Sequence, residues 1–137
     1  MALINVNPFV MKDSVFSVAA DDYAAAITAM TITPTSSQIT IKGLKPSATF
    51  SDATTPTWTC AVSYIQDWEN EESFANYLFD HAGETVSATI EPVTGGTGWD
   101  VDLILTPGDI GGAVDAYGVA TVTLGISGKP VRVPATP

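Results

Sequence analysis

Three hydrophobic periods follow one another across residues 57–91, and they constrain the fold more than any other part of the chain. Trp58, Cys60, Val62 and Tyr64 alternate with Thr57, Thr59, Ala61 and Ser63, which is the pattern of a strand with one large-residue face. The spacing then predicts a helix over 71–81. Asn70 is its expected cap, and Glu71 and Glu72 fall in a first turn whose exposed N–H groups favour negative charge. Phe74, Leu78 and Ala82 recur on one supporting side. Gly83 offers the stop, because glycine takes a positive φ at little cost. Alternation resumes at Thr85, with Val86, Ala88 and Ile90 on one face. Strand, short helix, strand is the reading, inside a chain whose remaining pattern is β.

Before this stretch, residues 1–9 read as an arm or a first edge, and Phe9, Met11, Val15, Phe16 and Val18 supply β-compatible material around Lys12 and Asp13. A turn is expected at Asp21 and Asp22. The alanines of 23–29 support a helix on propensity, but Thr28, Thr31 and Thr33 interleave with Met30 and Ile32. The preferred reading is a strand from Ala26 that Pro34 ends. Ile39 and Ile41 alternate with Gln38, Thr40 and Lys42 in a short strand that stops at Gly43. Residues 43–56 then read as a long connection, rich in Pro, Ser and Thr, with Phe50 isolated in it. Such a loop is used either on its own domain or between chains.

Downstream, Gly95, Gly96 and Gly98 are followed by an alternating strand and not by a helix, so they read as a hairpin connection and not as a phosphate-cradling loop. In that strand Trp99, Val101, Leu103 and Leu105 are expected to face the core, with Asp100, Asp102 and Ile104 on the other side. The 106–109 segment is a turn. Residues 119–124 form a last strong strand whose two faces differ too little to say which is buried. Val131 to Val133 are read as an edge strand or as part of a C-terminal arm over 125–137.

The chain is 137 residues long, which fits a single domain over 1–137 with a modest core. Five Lys and Arg face fifteen Asp and Glu, a net charge of −10, so tight attachment to a nucleic-acid backbone is not expected. The charge is uneven. Residues 1–68 carry 3 basic and 5 acidic side chains (−2), and residues 69–137 carry 2 and 10 (−8). Cys60 is the lone cysteine, so no intramolecular disulfide forms, and it reads as a small buried hydrophobe. No apolar run is long enough to cross a bilayer as a helix, and the N-terminus has no basic start followed by an apolar stretch. Neither a membrane partner nor export by the usual route is expected.

Little in the chain points to chemistry. His81 is the single histidine and belongs at a helix end, where terminal carbonyls meet its nitrogens. No strained nucleophile turn marks a serine, and no carboxylate pair is singled out by its neighbours, so neither an enzyme nor a cofactor is expected. Asp67, Glu69, Glu71 and Glu72 lack the glycine turn and spacing of a calcium loop, and no metal is expected there. Trp58, Trp68, Trp99, Tyr64 and Tyr117 are enough aromatics for a sugar-binding face, which keeps an extracellular β-sandwich carbohydrate-binding or adhesion module as the alternative function. The strands also leave unpaired edges unless a closed sheet or another copy covers them, and copies arranged around an axis would close them into a barrel.

Three segments carry a resemblance: residues 63–68 (Ser-Tyr-Ile-Gln-Asp-Trp), the helix running into Asp80-His81-Ala82-Gly83-Glu84-Thr85-Val86, and Trp99-Asp100 continuing to Leu105-Thr106-Pro107-Gly108-Asp109-Ile110-Gly111-Gly112. Together with Gly128-Lys129-Pro130, they resemble the major tail tube proteins of long-tailed, siphovirus-like bacteriophages. The resemblance implies a mainly β, tail-tube-type β-sandwich with one short α-helix, its inner sheet completed into a barrel by oligomerisation. It implies a structural subunit of the virion, assembled in the host cytoplasm as hexameric rings that stack into the conduit for genome ejection. Its partners would be copies of itself, tape measure, tail terminator and distal tail proteins, and DNA passing without specific binding. Residues 39–56 would contact the next ring, with Leu44, Pro46, Phe50 and Thr54 at that contact and Phe50 as the apolar anchor. The helix with Phe74, Leu78 and Ala82 would support the barrel from outside. A carboxylate-rich bore is expected from the net charge, because it would repel phosphates.

Overall fold

In the computed structural model, which describes residues 2–19 and 21–134, the chain is mainly β with one α-helix, and all its strand ladders are antiparallel. Met1 and residues 135–137, the ends of the two expected arms, lie outside the described residues. One layer contains β1 (Val15–Val18), β2 (Asp21–Asp22), β7 (Thr85–Glu91), β8 (Gly98–Ile104) and β10 (Val131–Val133). The other contains β3 (Ile27–Thr35), β6 (Thr57–Ile65) and β9 (Val119–Ile126). The first half of β8 pairs with β10, and its second half pairs with β9 through Leu103↔Ile126 and Ile104↔Gly125. β8 is therefore the corner at which the sheet folds over on itself. A separate hairpin, β4 (Gln38–Lys42) with β5 (Thr49–Ala53), is inserted between β3 and β6.

The core sits between the two layers and follows the alternation in the sequence. Cys60, Val62 and Tyr64 of β6 meet Ala120, Val122, Leu124 and Ile126 of β9. The opposing layer supplies Phe16, Val18, Ala88, Ile90, Val101 and Leu103. Asp100, Asp102 and Ile104 face outward as expected, while Trp99 is half-buried. The faces of β9 are resolved by packing: its aliphatic set points in, and Val119, Thr121 and Thr123 point out.

The helix α1 (Phe74–Asp80) closes the gap between the layers at the end where β6 finishes. Phe74 lies edge-on to Phe16 of one layer, with centroids 5.5 Å apart, and edge-on to Tyr64 of the other at 5.2 Å. Leu78 is buried beside it, and Ala75 completes the inward side. Ala82 does not, because it lies beyond the helix in an exposed turn, which corrects the expected triad. The helix also begins later than expected. Asp67 Oδ1 accepts from the N–H groups of Glu69 and Asn70, and Asn70 Oδ1 accepts from that of Glu72. These local bonds hold the acidic segment in turns, and Ser73 is the cap, accepting from Asn76 N–H at 3.3 Å. Gly83 takes φ 87° after the helix, and its N–H donates to the Leu105 carbonyl at 2.8 Å, tying α1 to the strand ends.

The preferred strand reading holds, with its start one residue later than expected: a 3₁₀ turn, Ala24–Ala26, precedes β3, which starts at Ile27. Two further expectations change. Pro34 does not end that strand. It pairs with Trp58 inside β3, which is tolerated because β3 is an edge strand. Gly125 and Ile126 belong to β9, and Val131–Val133 add β10 to β8, so this part of the predicted C-terminal arm is sheet.

Candidate assembly interface

The 43–56 segment is not a long loop, because five of its residues are β5 and pair back on β4. In this hairpin Ile39 faces Asp52, and Ile41 faces Phe50, so these four share one side. Gln38, Thr40, Lys42, Thr49, Ser51 and Ala53 share the other. The hairpin is thus amphipathic, with Ile39, Ile41 and Phe50 forming an apolar side on which Asp52, near the root, is the one charge, yet every residue of both strands is exposed, Phe50 at 69%. Two strands with nothing beneath them are marginal in water, and alternation without burial points to a surface supplied from elsewhere.

The four predicted contact residues take different places in it. Leu44 is at the tip, fully exposed, and Pro46 is beside it in the turn. Phe50 is on the apolar side of β5. Thr54 is half-buried at the base, where its hydroxyl donates to the Ser37 carbonyl and accepts from Ser37 N–H, both at 2.9 Å. The structure brings Leu44, Pro46 and Phe50 onto one projection and makes Thr54 the clasp that closes its root.

The hairpin grows from β3 and β6 at the Thr35↔Thr57 end, and the layer behind it has two open edges. β3 pairs only with β6, and residues 119–124 of β9 have no second strand partner among the described residues. The outward side of this layer carries Thr31, Thr33, Thr59, Ser63, Thr121 and Thr123, and Ser63 and Thr121 hydroxyls lie 2.9 Å apart across the ladder. It bears no charged side chain. The opposite layer carries carboxylates on its outward side, where Asp100 accepts from Thr89 at 2.8 Å and Asp102 from Ser87 at 3.3 Å.

At the other end of β6, Gln66 organises a second exposed region, and nothing in the sequence singled it out. Its Nε2 donates to the Gly111 carbonyl at 2.7 Å, its Oε1 accepts from Gly111 N–H at 3.0 Å and from Trp68 Nε1 at 3.1 Å, and its own N–H donates to Gly118. One amide thereby pins the 106–118 loop beside Trp68, which in turn meets Phe79 edge-on at 6.3 Å. Gly108 lies against the Tyr64 hydroxyl so closely that a Cβ there would be 2.2 Å from it.

The aromatics considered for a sugar face are dispersed. Tyr64 is core, Trp58 and Trp99 line a groove with Phe9 and Met11 where β6 begins, and Trp68 and Tyr117 are where β6 ends. His81 caps α1, with Nδ1 2.6 Å from a Glu84 carboxylate oxygen and its ring tilted by 35° against Tyr77, centroids 4.5 Å apart. Cys60 is fully buried, and burial pushes its thiol up to about 11. Among the described residues no helix is long and apolar enough to cross a membrane, and no group of His, Cys, Asp or Glu is arranged to hold a metal.

No known protein family and no curated protein matches the chain by sequence. Among solved structures the chain is similar to one described as part of the virion of a native gene transfer agent particle, with a TM-score of 0.64 and 12% identity. The match covers 88% of this chain and 95% of that one. At this identity the likeness shows a shared fold.

Proposed function

We propose that this chain is a structural subunit of a phage-type virion, stacking as hexameric rings into the tail tube through which the genome leaves. The observation that carries the reading is the projecting β4–β5 hairpin, whose apolar side has no cover among the described residues of its own chain. A fold shared with a chain of a virion particle supports it, and so does the resemblance of residues 63–68, 80–86 and 99–112 to tail tube proteins.

On this reading the ring closes when the free edge of β3 pairs with the free 119–124 edge of β9 in the next copy, removing both liabilities at once. The inward side of that layer is occupied by the core, so its outward side lines the bore. The lining is then a hydroxyl surface of Thr and Ser, and the carboxylates of Asp100 and Asp102 lie on the outer layer. DNA is not held because the wall offers no Lys or Arg to its phosphates, and the net charge of −10 adds a repulsive field at longer range. On this reading the bore would be neutral, where net charge alone suggests carboxylates.

Negative-stain microscopy of the concentrated protein tests the proposal, with hollow tubes or six-fold rings as the expected result. A monodisperse monomer at every concentration, binding a glycan selectively, would overturn it in favour of a sandwich-type binding module.

A further inference from the structure

The hairpin leaves the sandwich where β6 begins, and the Gln66-organised region lies where β6 ends. β6 has nine residues, which places these two surfaces roughly 30 Å apart along one strand. Each is apolar and uncovered. The second carries Trp68, Phe79, Ile110, Val114 and Tyr117, with Tyr117 91% and Val114 90% exposed. Their charges are opposite as well. The hairpin holds Lys42 and Lys45, two of the five basic residues in the chain, near its tip, while its single carboxylate, Asp52, lies back towards the root opposite Ile39. The far end holds Asp67 and Glu69 beside Trp68, Asp109 beside Ile110 and Asp115 beside Val114.

We infer that the Trp68–Phe79 end, with the 106–118 loop, is the surface that receives the β4–β5 hairpin of a second copy of this chain. This rests on the stacked-ring reading and adds to it the address of the contact. Ile39, Ile41, Phe50 and Leu44 supply the apolar side, and the two lysines meet the acidic rim. Two patches with like charge repel, so hairpin does not pair with hairpin, nor receiving end with receiving end. The contact is heterologous, and because donor and acceptor lie at opposite ends, every added copy presents a fresh acceptor. The Gln66 bracket explains why a glycine-containing loop keeps one shape before its partner arrives: two hydrogen bonds from one amide fix Gly111, whose φ is 104°.

Disulfide trapping between full-length chains tests the contact, since the native Cys60 is buried and does not compete. A chain bearing Leu44→Cys is mixed with one bearing Phe79→Cys, Ile110→Cys or Tyr117→Cys and oxidised under conditions in which microscopy shows tubes. At least one mixed pair is expected to give a dimer band on a non-reducing gel, while each chain alone gives none. Tubes without any mixed dimer, or tubes in which Leu44→Cys bridges to itself, would overturn the assigned contact and leave the tail reading standing. Complete absence of tubes and rings would remove both. In parallel, Tyr117→Asp, at a side chain too exposed to affect folding, should raise the concentration needed for tube growth at least about tenfold with an unchanged circular dichroism spectrum. Growth at the wild-type concentration would count against the assignment.

Discussion

Replacing Phe50 by Asp separates what the hairpin does within the subunit from what it does between subunits. In the isolated chain Phe50 is 69% exposed and opposes only Ile41, so the variant loses one cross-strand pair, worth about 0.2–1 kcal/mol, on a hairpin that packs on nothing. In the proposed contact between chains the loss is larger. About two-thirds of a ring that buries roughly 200 Å² remains available for contact, and at ~25 cal/mol per Å² this is about 3.5 kcal/mol. That corresponds to a roughly 300-fold weaker contact, and a carboxylate forced into the same apolar site adds to it. The assay pairs circular dichroism and urea unfolding of the soluble subunit with light scattering of tube growth over a concentration series. The expected result is an unfolding midpoint close to wild type and growth shifted by two or more decades in concentration. Equal loss of subunit structure would put Phe50 in the intrachain core, and unchanged growth would refute the interchain contact.

Three other perturbations probe the body of the domain. Phe74→Ala removes the ring shared by Phe16, Tyr23 and Tyr64 and should cost about 3–5 kcal/mol in urea unfolding. Gly108→Ala should cost about 1–3 kcal/mol because its methyl meets the Tyr64 hydroxyl. Tyr64→Phe in the same chain should recover part of that loss, and a purely additive pair would show that the clash is not the cause. Cys60 gives a pH test: its thiol is raised from 9.0 to about 11, so the folded chain keeps a proton that the unfolded chain releases. Its contribution is complete below about pH 9 and is lost as pH rises toward 11. Stability should therefore fall across that window by about 2–3 kcal/mol more in the wild type than in Cys60→Ala. Maleimide labelling at pH 8 should track global unfolding, and fast labelling of the native chain would refute the buried placement.

Where one face of an element meets the core and the other meets water, the sequence was readable. β6, β7 and β8 declare themselves by alternation, and α1 by Phe74 and Leu78. The boundary of α1 was misplaced because Asp67 and Asn70 spend their side chains on nearby N–H groups, an interaction that competes with the first helical turn and leaves no trace in hydrophobic period. β5 was illegible for a different reason. Thr49, Ser51 and Ala53 are turn-compatible, and Phe50 acquires an apolar neighbour only when Ile41 is brought across from β4. Its apolar side belongs to a pair of strands and to no single one. β9 hid its orientation because Thr and Val have nearly the same shape, so only packing against β6 and β8 shows which set is inside. Gln66 gave no signal at all, since its importance lies in a loop 45 residues away.

The uncharged outward side of the β3–β6–β9 layer bears on how a polymer would move past it. Duplex DNA travels with a sheath of condensed cations, and a wall that bound phosphates would have to strip those ions at each step and return them afterwards. In the proposed tube, threonine and serine hydroxyls would make no such exchange and would hold a film of water between wall and duplex. Drag in such a channel would arise from shear in that film, so transit speed should follow solvent viscosity and be nearly indifferent to added salt.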